Sequence, residues 1–98
     1  MADLRIEWDP RKDRQNRRKH GVSFAEAETV FADENGRLIA DPEHSQAEDR
    51  FVLLGLSAEL RILLVVHCYR EEDDVIRIIS ARKATRGEQA DYLWGWKP

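Results

Sequence analysis

The sequence predicts an α+β layer fold, and three observations carry that prediction. Three apolar stretches, RFVLLGL, LRILLVVHC and VIRIISARK, follow one another through the short breaks SAE and YREEDD, close enough for antiparallel hairpins. Two segments before them and one after carry helix start and stop signals instead of alternation. The chain is 98 residues long, the size of one domain spanning 1–98, and holds a single cysteine, Cys68, so one apolar core must stabilise it without an intrachain disulfide.

The elements follow in order. LRIEW alternates Leu4, Ile6 and Trp8 with Arg5 and Glu7, the pattern of a short half-buried strand. Asp9-Pro10 then supplies an N-cap and a proline at the first helical position, and Gly21 supplies the left-handed stop after His20. The helix between them, PRKDRQNRRKH, has no apolar residue after Pro10 and so no core-facing stripe. Ser23 and Glu26 form the S-x-x-E capping box of a second helix, with Val22 stapled on Ala27 and with Phe24, Ala27, Val30 and Phe31 on one face. DENG (33–36) is a turn and RLIA a short strand, followed by the polar loop DPEHSQAED. The last two long strands are apolar on both parities, as expected at the centre of a sheet covered on both sides. Thr85 and Glu88 repeat the capping-box spacing and start a final helix through about Trp94. Trp94 and Trp96 are expected to dock on the core.

Charge is distributed unevenly. Residues 1–21 hold seven Lys/Arg against four Asp/Glu, whereas residues 22–49 hold one against eight, so the net −3 hides a basic surface beside an acidic one. An acidic total therefore does not exclude a nucleic-acid partner. No apolar leader opens the chain and no run of 18 apolar residues occurs, which predicts a cytoplasmic protein with no membrane role.

Several residues are candidates for chemistry. Arg11, Arg14 and Arg18 recur at i, i+3 and i+7, a ridge able to follow a phosphate backbone, with Lys12 and Lys19 on a neighbouring line. The run ends in His20, and histidine is the side chain that exchanges protons near neutral pH. In VIRIISARK, strict alternation puts Arg77 with Val75, Ile79 and Ala81, and puts Ser80 and Arg82 with Ile76 and Ile78. An arginine among aliphatics needs a partner, since an unpaired buried charge costs several kcal/mol, and Glu48 or Asp49 are the expected carboxylates. Arg82 near a strand end is placed to grip a phosphate bidentately. Arg50 and Arg61, each at a strand start, are expected to lie close together as an anion clamp. His67 reads as a satisfied strand residue and His44 as a loop residue. No zinc, calcium, P-loop or nucleophile-elbow spacing is present, so no metal or cofactor is expected.

Three motifs in this order, WDPRKDRQNRRKHGVSFAEAETVF, DPEHSQAEDR and RIISARKATRGE, resemble the BrnT toxin family of bacterial type II toxin–antitoxin modules. The resemblance spans roughly residues 8–92. Ala47 stands where that family has glycine, and Glu48-Asp49-Arg50 where it has E-E-R; neither departure removes a charge. The resemblance implies a RelE-like fold and an endoribonuclease that arrests growth. It also implies a BrnA-type antitoxin partner with a ribbon-helix-helix domain, through which the complex binds operator DNA. Lys19, His20, Arg50, Arg77 and Arg82 occupy the family's motif positions.

RNA cleavage without metal needs a deprotonated 2′-hydroxyl, a stabilised pentacoordinate phosphate and a protonated leaving oxygen. Placed cations supply the largest share, and Arg50 and Arg82 suit that role. His20 is the expected proton carrier, with Glu48 second. Lys12, Arg14, Arg18, Lys19, Arg61 and Arg77 are expected to hold the RNA. Two rivals stay open: a non-catalytic module that binds nucleic acid or protein through its basic face, and a metal-dependent nuclease built on Asp41, His44 and Glu48.

Overall fold

A computed structural model describes residues 5–40, 50–70 and 74–95. The chain order is β1 (Arg5–Glu7), α1 (Pro10–His20), α2 (Phe24–Thr29) running into a 3₁₀ turn (Val30–Ala32), β2 (Arg37–Ala40), β3 (Arg50–Leu56), β4 (Ile62–Arg70), β5 (Val75–Lys83) and α3 (Arg86–Trp94). This is the α+β fold the sequence predicts. The five strands form one sheet in the order β1-β5-β4-β3-β2. Strands β2 to β5 make the expected antiparallel meander, while β1 returns from the chain start to pair parallel with β5.

One face of the sheet carries the core. Val22, Phe24, Ala27 and Val30 pack onto Leu53, Leu63, Val65, Ile78 and Ala81, with Ile6, Trp8 and Phe31 at the margin. Val22 and Phe24 are fully buried, and Trp8 meets Phe24 edge-on with centroids 6.3 Å apart. These contacts fasten both ends of the polar helix α1 to the protein. Gly55 lets the 3₁₀ turn approach, since a Cβ there would meet Val30 Cγ1 at 2.7 Å.

The local signals behave unequally. Gly21 is in the left-handed region (φ 69°) and its N–H bonds Arg17 O at 2.9 Å, closing α1. At Thr85 both halves of the capping box form. At Ser23 only one forms: Ser23 Oγ accepts from Glu26 N at 3.0 Å, but the Glu26 carboxylate turns away to Ser57 and Arg61. A fixed guanidinium is a stronger partner for a carboxylate than a backbone N–H. Trp94 does not dock on the core; it is 78% exposed. Trp96 lies outside the described residues. Among the described residues, no helix is long and apolar enough to cross a membrane.

Candidate active site

Helix α1 buries one residue along its length, Asn16. Its Nδ2 donates to Val22 O and to Ala81 O, both at 2.8 Å, and its Oδ1 accepts from Ala81 N at 3.1 Å. Strand β1 pairs with β5 only as far as Arg77, so beyond that point the β5 edge lacks a strand neighbour there. The Asn16 amide stands in for that neighbour, offering one donor and one acceptor to Ala81 as a strand would. A polar helix therefore packs beside the sheet through hydrogen bonds. Asp13 assists from the same helix: its Oδ1 accepts from Phe24 N at 2.8 Å, fixing the start of α2.

This docking leaves a cleft of about 260 Å³ between α1 and β5, lined by Lys12, Gln15, Asn16, Lys19 and His20 on one side and Ile79 and Ser80 on the other. Strand β5 is irregular beside the cleft. Val66 pairs with Ser80 but His67 pairs with Ile78, so Ile79 is an extra residue, a β-bulge. The bulge resets the alternation. Ile76 and Ile78 face the core before it and Ala81 after it, so Arg77, Ser80 and Arg82 share the opposite face. Strict alternation had put Arg77 and Arg82 on different faces; one inserted residue unites them.

The register extends that face across the sheet. Arg77 and Arg50 both pair with Cys68, from either side, forming a row Arg77–Cys68–Arg50. Arg82 pairs with Leu64 two rows away, and Ser80 with Val66 between them. Ser80 thus belongs both to the α1 cleft and to the arginine face.

The arginines are partnered in ways local spacing does not reveal. Arg77 Nη1 donates to Glu7 Oε2 at 2.7 Å. Arg82 makes a bidentate pair with Glu88 of α3, at 2.8 and 2.9 Å, and Nη1 also donates to Lys83 O at 3.2 Å. Glu88 is held down at about 2, first by the Arg82 guanidinium, against burial, and also by the Thr85 N–H. Among the described residues the carboxylates are Glu7 and Glu88; the expected Glu48 and Asp49 lie outside the described residues.

Arg61 is far from the expected clamp. In the β3–β4 hairpin the start of β3 meets the end of β4, so Arg50 pairs with Cys68 while Arg61 lies at the other end of the sheet. There its Nε donates to buried Glu26 Oε2 at 2.9 Å, its Nη2 bonds Glu26 Oε1, and Nη2 also reaches Gly21 O at 3.2 Å. The Arg61 guanidinium holds the Glu26 carboxyl below its usual range, aided by Ser57. This arginine ties α2 to the β3–β4 turn.

Lys12, Arg14, Arg18 and Lys19 are exposed on α1 and His20 is half-buried, but Lys12, Lys19 and His20 line the cleft whereas Arg14 and Arg18 do not. Glu48, Asp41 and His44 lie outside the described residues. Among the described residues no group of three His, Cys, Asp or Glu is arranged to hold a metal. His67 is fully buried beside Phe31, Phe51 and Tyr69; one ring nitrogen lies 3.2 Å from Val65 O, and Nε2 has no partner among the described residues. It is only half satisfied, and burial pushes its pKa down. Sequence reasoning missed Asn16, Gln15, Ser80 as a cleft residue and Glu88 as the partner of Arg82. The T-x-x-E spacing marked Glu88 as a cap, but nothing local marked its second role.

The family described as "Ribonuclease toxin, BrnT, of type II toxin-antitoxin system" matches residues 8–88. Among solved structures, the chain is similar to the Brucella abortus ribonuclease toxin BrnT, with a TM-score of 0.62 and 26% identity, over 85% of this chain and 99% of that one. A search of curated proteins gives no match. The family match covers most of the chain, and the described fold agrees with that crystal structure in strand, helices, sheet and final helix. The chain belongs to the BrnT family of ribonuclease toxins of type II toxin–antitoxin systems.

Proposed function

We propose that this chain is a metal-independent endoribonuclease in which RNA lies along α1 and is cut where the α1 cleft meets the arginine face. The observation that carries the reading is the meeting of the two surfaces at Ser80: Lys12, Lys19 and His20 line one side of the cleft, and Arg77 and Arg82 flank Ser80 on the sheet. Lys12 and Lys19 hold the backbone in the cleft, and Arg14 and Arg18 extend the same positive helix outward, a sequence-blind and salt-sensitive attraction. The attacking 2′-oxygen forms a bond to phosphorus as the bond to the 5′-oxygen breaks, leaving a 2′,3′-cyclic phosphate and a 5′-hydroxyl. Arg82 and Arg50 stabilise the added negative charge, Arg77 supports them along the row, and His20 moves the proton, with Glu48 as the second candidate. Arg61 is reassigned from RNA binding to the fold, because its Nε and Nη2 donors are held by the buried Glu26 carboxylate and by Gly21 O.

The chain works in the cytoplasm and is neutralised by a BrnA-type antitoxin, whose ribbon-helix-helix domain brings the complex to operator DNA. The rival reading, a non-catalytic binding module, draws on the pairing of Arg77 with Glu7 and Arg82 with Glu88, which already satisfies part of each guanidinium. Expression in cells separates the two. Wild-type chain should stop growth and soluble Arg82→Ala should not; growth arrest by Arg82→Ala at equal expression would remove Arg82 from the active site.

A further inference from the structure

We propose that Glu88 is a positioning residue for Arg82: it holds the guanidinium by one edge so that the other edge meets the phosphate. This rests on the reading that Arg82 acts on the scissile phosphate.

Five N–H donors project from a guanidinium in a fixed plane. Glu88 takes one on each terminal nitrogen, through Oε1 to Nη1 at 2.8 Å and Oε2 to Nη2 at 2.9 Å. The Lys83 carbonyl takes the second donor of Nη1 at 3.2 Å. The side edge, Nε–H with the remaining Nη2–H, is a second fork of the same shape, suited to two phosphate oxygens. Carboxylate and phosphate therefore occupy different edges and do not compete.

Glu88 is itself held. Its Oε1 accepts from Thr85 N at 2.8 Å, and Thr85 Oγ1 accepts from Glu88 N at 3.2 Å. The Thr85 backbone N–H fixes the carboxylate, and the carboxylate fixes the arginine, joining the end of β5 to the start of α3. Helix α3 buries none of its residues, so core packing does not account for its sequence. Its other ties are Gln89 to Ala84 O at 3.2 Å and Tyr92 to Asp33 at 2.6 Å. In this reading the start of α3 is retained because it aims Arg82.

Substitution can separate aiming from capping. Glutamine serves at the third position of a capping box as glutamate does, so Glu88→Gln keeps the helix start while losing the charged two-point grip. In single-turnover cleavage of an RNA oligonucleotide with enzyme in excess, Glu88→Gln should lower the rate about 100-fold, the cost of misplacing a reacting group by about 1 Å. Its affinity for the same oligonucleotide with a 2′-deoxy cleavage site should stay equal or rise, since a negative charge has been removed beside the RNA. Thr85→Ala is the second variant: it weakens the helix start but leaves Glu88 and Arg82 facing each other, and it should cleave within about threefold of wild type.

A Glu88→Gln rate equal to or above wild type, with Arg82→Ala inactive, would overturn the inference and make Glu88 a bystander or a brake. Equal slowing in Thr85→Ala and Glu88→Gln would overturn it too, because helix stability would then be the cause. Activity retained in Arg82→Ala would instead remove the reading on which the inference rests.

Discussion

Two arginine–glutamate pairs in this small protein use the same side chains for opposite ends. Arg61 with Glu26 sits where α2 meets the β3–β4 turn, its carboxylate nearly sealed from water, and also bonds Ser57 through Glu26 and Gly21 through Arg61. Arg82 with Glu88 lies on the face away from the core, its arginine side chain 38% exposed, with one edge unused by the bonds described above. Arg61 spends Nε on Glu26 and Nη2 on Glu26 and Gly21, so neither two-point edge of its guanidinium is left open, and its buried carboxylate partner holds the fold. A pair that leaves a fork facing outward is placed to hold a ligand. The identity of the residues does not separate these cases, nor does the number of spent donors, three on each arginine; the burial of the carboxylate and the edge left open do.

The comparison breaks most sharply at the two arginines. Arg82→Ala should lower RNA cleavage by about 10²–10³-fold, the loss seen when one charge-stabilising donor is removed, with little change in a thermal melt. Arg61→Ala should do the reverse. It strands the Glu26 carboxylate and should cost about 3 kcal/mol of stability, read in urea unfolding, while the folded fraction keeps its cleavage rate. If Arg61→Ala instead melts normally and loses RNA binding, the two pairs have been assigned the wrong way round.

A smaller test concerns the edge of β5. Asn16→Leu removes partners from two carbonyls and one N–H around a buried position and should cost about 2 kcal/mol or more, with cleavage falling as the cleft loosens. Unchanged stability would mean that water replaces the amide at Ala81.

Acid offers a finer test. Glu26 has a folded pKa below its ordinary 4.5, so its contribution is present in full above pH 4.5 and is lost as pH falls through the lowered folded value. His67, lowered from 6.5 by burial, contributes stability in full above pH 6.5 that declines below it. Replacing His67 with Phe should flatten the stability curve just below pH 6.5 and leave the more acidic loss in place. A wild-type curve that is already flat there would mean that His67 binds its proton equally in the folded and unfolded states. The smallest effect is Ser23→Ala, about 1 kcal/mol, because this N-cap keeps its hydroxyl bond even though Glu26 has left the capping box.

The elements were legible because their signals are local. Asp9-Pro10, Gly21, Ser23 and Thr85 each act within a turn of helix, and the three apolar strands declare themselves by composition. The candidate site was legible as residue types and as the motif positions Lys19, His20, Arg50, Arg77 and Arg82. Their arrangement was not. A bulge at Ile79 leaves no mark in an apolar strand, yet it decides which face Arg77 and Arg82 occupy. The Arg50–Arg61 expectation failed because an antiparallel hairpin joins a strand's start to its neighbour's end. Asn16 is one polar residue among many in α1, and its partner lies 65 positions away in the chain. Long-range hydrogen bonds of this kind have no period to detect.

The most direct test of the central claim is to incubate purified chain, free of any co-expressed partner, with RNA in excess EDTA and to analyse the product ends. The account predicts cleavage, 2′,3′-cyclic phosphate ends, and loss of both in Arg82→Ala. Cleavage that appears only when magnesium replaces the chelator would contradict it and point to Asp41, His44 and Glu48, and folded protein that cuts under neither condition would favour the binding module.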